Sequence, residues 1–106
     1  MPKFMIKASY STDGARGLLK EGGTARRAAV QKVVESMGGK VEAFYFAYGD
    51  ADAYVITDLP DVATAAALSL TVSASGAVRL STIPLITAEE IDAASKKSVA
   101  YRAPGA

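Results

Sequence analysis

Val41-Glu42-Ala43-Phe44-Tyr45-Phe46-Ala47-Tyr48 runs into Gly49-Asp50-Ala51-Asp52 and then into Ala53-Tyr54-Val55-Ile56-Thr57-Asp58-Leu59. Two runs rich in β-branched and aromatic residues flank a short Gly/Asp segment, which is the pattern of a β-hairpin. Everything on either side of this hairpin reads as a strand or a helix that must pack against it.

Upstream, Lys3–Tyr10 alternates, with Phe4, Ile6, Ala8 and Tyr10 on one face and Met5, Lys7 and Ser9 on the other, as a strand does. Ser11-Thr12-Asp13-Gly14 ends it and caps a short helical turn carrying Leu18 and Leu19, which Gly22-Gly23 breaks. Thr24 is a candidate N-cap for a helix to about Met37, with Val30, Val33, Val34 and Met37 on its apolar face. Gly38-Gly39 supplies the stop.

Downstream, Pro60-Asp61 ends the hairpin and caps a helix over Val62–Ala74. Ala63, Ala66, Ala67, Leu70 and Ala74 form its expected sheet-facing side. Ala77–Leu85 reads as a fourth strand, placed at a sheet edge because Pro84 cannot donate to a central ladder. Thr87-Ala88-Glu89-Glu90 has capping-box spacing and predicts a short C-terminal helix to about Lys97. The order β-α-β-β-α-β plus a terminal helix predicts an α+β, ferredoxin-like domain. Its four-stranded antiparallel sheet has the helices on one face. Residues 1–98 form the single domain, and residues 99–106 form a flexible C-terminal tail.

With the helices on one face, the other must be covered or wet. Clean apolar/polar alternation would mark a wet face, and the second strand lacks it. One parity holds Val41, Ala43, Tyr45 and Ala47; the other holds Glu42, Phe44, Phe46 and Tyr48. A second sheet from a two-fold homodimer would bury the surplus apolar side chains, giving a dimeric α/β barrel. Folding of the terminal helix over that face is the alternative.

Composition narrows the chemistry. The 106 residues include no cysteine and no histidine. Disulfides, thiolate catalysis, thiolate zinc sites, histidine-ligated haem and a Ser-His-Asp triad are therefore excluded. No metal site and no cofactor is expected. The net charge of +1 gives no general pull toward nucleic acid or anionic membrane. Arg16, Lys20, Arg26, Arg27 and Lys32, interspersed with Glu21 and Glu35, read as a solvated helix face. The N-terminus has no long apolar core and no small-residue cleavage site, so a soluble, cytoplasmic protein is expected.

The runs Gly14-Ala15-Arg16-Gly17-Leu18-Leu19-Lys20-Glu21-Gly22-Gly23, Gly38-Gly39-Lys40-Val41-Glu42, Tyr48-Gly49-x-x-Asp52 and Ser75-Gly76-Ala77-Val78-Arg79 resemble the GYD domain family. The family takes its name from a Gly/Tyr/Asp motif at the hairpin. Gly49 and Asp52 match that motif, while Ala51 stands where many relatives carry tyrosine. The resemblance implies two ferredoxin-like sheets enclosing a cavity in a homodimer, and it implies no particular reaction.

Eight residues are candidates for ligand binding. Asp50 and Asp52 could bind a cation or move a proton, since neighbouring carboxylates raise one another's pKa. They could equally be turn residues, with Gly49 at positive φ. Lys7 could anchor an anionic ligand or lie at the sheet margin with its stem over apolar surface. Tyr10, Tyr45, Tyr48 and Tyr54 could line a pocket for a small aromatic molecule or simply pack. Arg79 could bind an anion or pair with a carboxylate. The expected function is small-molecule binding or assembly by a dimeric barrel. The alternatives are a cofactor-independent oxygenase or isomerase for a small aromatic or lactone, and a structural or regulatory module.

Overall fold

The structure, a computed structural model, describes residues 1–106. It contains β1 (Lys3–Tyr10), α1 (Thr12–Glu21), α2 (Gly23–Ser36), β2 (Lys40–Phe46), β3 (Ala53–Asp58), α3 (Val62–Ala74), β4 (Val78–Leu85) and α4 (Ala88–Ser95). The sheet order is β2-β3-β1-β4 and every neighbouring pair is antiparallel. This is the ferredoxin-like arrangement expected from the element order, with β1 central and β4 at an edge.

The strands bury the parity that faces the helices. Phe4, Ile6 and Ala8 of β1 meet Ala53, Val55 and Thr57 of β3 in one buried layer. Val34 of α2, Ala65 and Leu68 of α3, and Leu59 just after β3 close over it. Burying each large aliphatic side chain stabilises the fold by roughly 1.5–3 kcal/mol. Thr57 is the buried polar exception, and its hydroxyl donates to the Phe4 carbonyl at 3.3 Å.

A β-bulge resolves the two-faced second strand. Val41 pairs with Thr57 but Ala43 pairs with Ile56, so one extra residue enters β2 at this point. An extra residue reverses the parity of everything after it. Val41 and Phe44 consequently both pack on the helix side. Phe46 follows Phe44 there, edge to face with ring centroids 5.1 Å apart. Ala43 and Tyr45 pair with Ile56 and Tyr54 on the opposite face.

Helix termini follow local chemistry. Ser11 caps α1 by accepting from the Gly14 N–H, Asp61 caps α3 by accepting from the Thr64 N–H, and Thr87 and Glu90 form the expected capping box on α4. Gly38, at φ +81°, ends α2 with N–H bonds from Gly38 to the Glu35 carbonyl and from Gly39 to the Val34 carbonyl. That is a Schellman turn, which favours glycine.

Three expectations are corrected, and one alternative is removed. The segment after Ser11 is a ten-residue helix rather than one turn. The start of α2 at Gly23 leaves Gly22, not Thr24, at the N-cap. In α3 the sheet-facing residues are Ala65 and Leu68, with Val72 packed against the same core, while Leu70 is 72% exposed. The terminal helix does not fold back over the open face. It makes no extended contact with another element, and Ile91 on it is exposed. The radius of gyration, 16.8 Å, exceeds the ~13 Å of a compact chain of this length, as a projecting C-terminal arm requires.

Candidate functional site

The helices α2 and α3 sit over the same face of the sheet but lean on opposite edges, α2 on β2 and α3 on β4. Between them, above β1 and β3, lies an open cleft of about 350 Å³. Its floor is low because Ala8 and Ala53 pair directly across β1 and β3, and two methyl groups cannot fill the span. Ala29, Val30 and Val33 of α2 form one wall, and Leu68, Thr71 and Val72 of α3 form the other. The partial exposure of Val33, on the apolar side of its helix, is explained by this gap.

Polar character is confined to one end. There β1 ends at Tyr10, Arg26 stands one turn into α2, and Ser75 caps the C-terminus of α3. The Arg26 guanidinium lies 5.9 Å from the centroid of the Tyr10 ring, within reach of cation–π attraction. Its Nε is buried without a hydrogen-bond partner, and no carboxylate pairs with it. Arg26 therefore departs from the solvated helix face expected of it.

Of the eight candidate residues, Tyr10 alone lines this cleft. Asp52 instead holds strands together. Its N–H donates to the Ala8 carbonyl, its carbonyl accepts from the Ala47 N–H, and its carboxylate accepts from the Tyr10 N–H, each at 2.8 Å. Asp50 and Tyr48 are exposed on the hairpin loop. Gly49 does not adopt positive φ, so that part of the turn reading is corrected.

Lys7, Tyr45, Tyr54 and Arg79 belong to the open face of the sheet. Lys7 lies opposite Tyr54 in the register with β3, its Nζ 5.9 Å from that ring's centroid. Tyr45 pairs with Tyr54, and Arg79 pairs with Ser9. Around them Met5 and Ile56 are half-buried and Tyr45 is 72% exposed. At the far end of this face Lys3 bridges Glu42 at 2.6 Å and Asp58 at 2.9 Å. These hydrogen bonds raise the Lys3 pKa above its ordinary value and lower that of Asp58. The Asp61 carboxylate is lowered by accepting from Thr64 at the α3 cap.

No three acidic side chains come together as a metal-binding group. No helix is long and apolar enough to cross a membrane.

Sequence reasoning missed the cleft and Arg26. The Ala8–Ala53 pair and the apolar Ala29 and Val33 beside the expected core face were its only local signals. The separation of two helices that lean on opposite edges of the sheet is a tertiary property.

The family model of the GYD domain matches residues 4–95, nearly the whole chain. No curated protein and no solved structure matches it. The chain belongs to the GYD domain family.

Proposed function

We propose that this GYD-domain chain is a binding protein that takes an apolar small molecule into the cleft between α2, α3 and the sheet. The cleft itself carries the reading. It is a concave, apolar-lined space with polar groups gathered at one end, and its volume, about 350 Å³, falls at the low end of the range for small-molecule sites. Binding is favoured over catalysis because the cleft wall includes no carboxylate. The two hairpin acids are occupied in strand pairing or exposed to solvent. Lys3, Asp58 and Asp61, whose pKa values are displaced, also lie outside it.

The test fills the cleft from its rim. Ala29→Phe and Thr71→Phe place rings on facing walls at solvent-accessible positions, so the fold should survive. Native mass spectrometry of the purified wild-type chain should show a retained small molecule, one per chain, that the filled variants lose. Adducts indifferent to both substitutions, or a bare chain that also fails to bind a panel of apolar small molecules, would contradict the reading.

A second reading concerns assembly. The open sheet face presents Met5, Ala43, Tyr45, Ile56 and Ile83 with no element of the same chain over them, and a second copy related by a two-fold axis is the partner best suited to cover it. In such a homodimer Lys7, Tyr54 and Arg79 would face the space between the two sheets.

A further inference from the structure

We propose that the cleft selects amphipathic anions, holding a compact apolar body between the helices and a carboxylate at Arg26. This rests on the cleft being a small-molecule site and adds the charge of its ligand.

The Arg26 side chain and the start of its helix both point to that charge. Arg26 is the one charged side chain lining the cleft. It pairs with no carboxylate, and its buried Nε has no partner. The positive charge of Arg26 is therefore matched by no side chain of the protein, and an anion supplied from outside is favoured.

The backbone adds to the same field. The N-terminus of α2 carries the positive end of the helix dipole, where proteins ordinarily place an acidic side chain. Here Gly22 offers no side-chain cap and the first turn holds no acidic residue. Arg26 and Arg27 are the fourth and fifth residues of the helix, so positive charge is added near an end that no acidic residue neutralises. The Tyr10 ring beside the guanidinium limits the conformations open to it, so little freedom is lost when an anion binds.

The rest of the cleft excludes a strongly polar ligand. Apart from Tyr10, Arg26, Ser75 and the Thr71 hydroxyl at the rim, the lining is apolar, with Ile6, Val34, Val55 and Leu68 at its base. A monocarboxylate with an arylalkyl or short alkyl body matches this gradient. A sugar or a polyphosphate does not.

The test compares three probes of equal shape on the intact chain: 4-phenylbutyrate, 4-phenylbutanol and 4-phenylbutylamine. Titrations followed by methyl chemical shifts of Val30, Val33 and Val72 give each affinity. The acid should bind at least about tenfold tighter than the alcohol, the fold-change of one charge-assisted hydrogen bond, and the amine should bind most weakly. Arg26→Gln should bring the acid down to the alcohol and leave the alcohol unchanged, while Arg26→Lys should keep part of the preference. Arg27→Gln, outside the cleft wall, should preserve the ranking.

Equal binding of acid and alcohol to the wild-type chain overturns the charge preference and leaves the cleft reading intact. Shifts with no probe at any cleft methyl overturn both.

Discussion

The Asp52 carboxylate accepts the backbone N–H of Tyr10 at 2.8 Å. It does so just past the point where β3 begins with Ala53, opposite Ala8. Beyond that pair β1 has no strand on its β3 side, and the Asp52 side chain continues the ladder. The acid of the hairpin motif is thus a structural clamp joining the hairpin to the central strand. Asp52→Ala should destabilise the fold by about 1.5–3 kcal/mol, the range for a hydrogen bond to a charged group, and Asp52→Asn by less. Urea unfolding should show a lower midpoint at an unchanged slope. An unaltered midpoint in Asp52→Ala would remove the clamp.

Two glycines of α1 should respond oppositely to the same substitution. A Cβ on Gly14 would collide with the Ala77 carbonyl oxygen, the atom that also accepts from Ser11. A Cβ on Gly17 would meet nothing within 4 Å. Gly14→Ala should cost about 1–3 kcal/mol through forced displacement of α1 from the Ala77 backbone just before β4. Gly17→Ala should gain about 0.5–1 kcal/mol from helix propensity. Thermal melts of the two variants check the sign of each.

The Lys3–Asp58 pair predicts a pH dependence. Hydrogen bonding to Lys3 holds the Asp58 carboxyl below its ordinary value of 3.8 in the folded chain. A lowered acid stabilises the fold above its unfolded pKa and loses that contribution as pH falls through the folded one. Wild-type stability should therefore drop more steeply below about pH 4 than that of Asp58→Asn. Lys3, raised by the same contact, contributes below its ordinary 10.5 and loses that contribution as pH rises through the higher folded value. Parallel acid limbs for wild type and variant would show that the pair contributes nothing there.

The open face predicts the behaviour of variants in sedimentation. If two copies associate through this face, Ile56→Asp places a charge at its centre and should yield monomers where the wild type sediments as a dimer. Phe46→Ala, on the helix side after the bulge, should leave the association unchanged. A wild-type monomer, or dissociation by Phe46→Ala and not by Ile56→Asp, would contradict a dimer formed through this face.

Much of the architecture was legible because local signals agreed: alternation in Lys3–Tyr10, the Thr87–Glu90 capping box and the Gly38 stop each mark an element on their own. The bulge in β2 was not, because Glu42 and Ala43 carry no signature of an inserted residue. Strict alternation through Val41–Tyr48 then gave two equally apolar faces. The apolar side of α3 was misplaced for a related reason, since alanines lie on every side of that helix and only contact with Leu68 and Val72 selects one. The site was least legible. Arg26 and Arg27 are neighbours in one basic run, and only the packing of α2 on β2 turns Arg26 into a cleft while leaving Arg27 exposed.

The most direct measurement is an NMR titration of the chain, isotope-labelled at its Val, Leu, Ile and Met methyls, with 4-phenylbutyrate, read on both faces of the sheet at once. Ligand in the cleft predicts shifts at Val30, Val33, Leu68 and Val72, with Met5, Ile56 and Ile83 unmoved. Shifts confined to Met5, Ile56 and Ile83 would place the ligand on the open face and contradict the account.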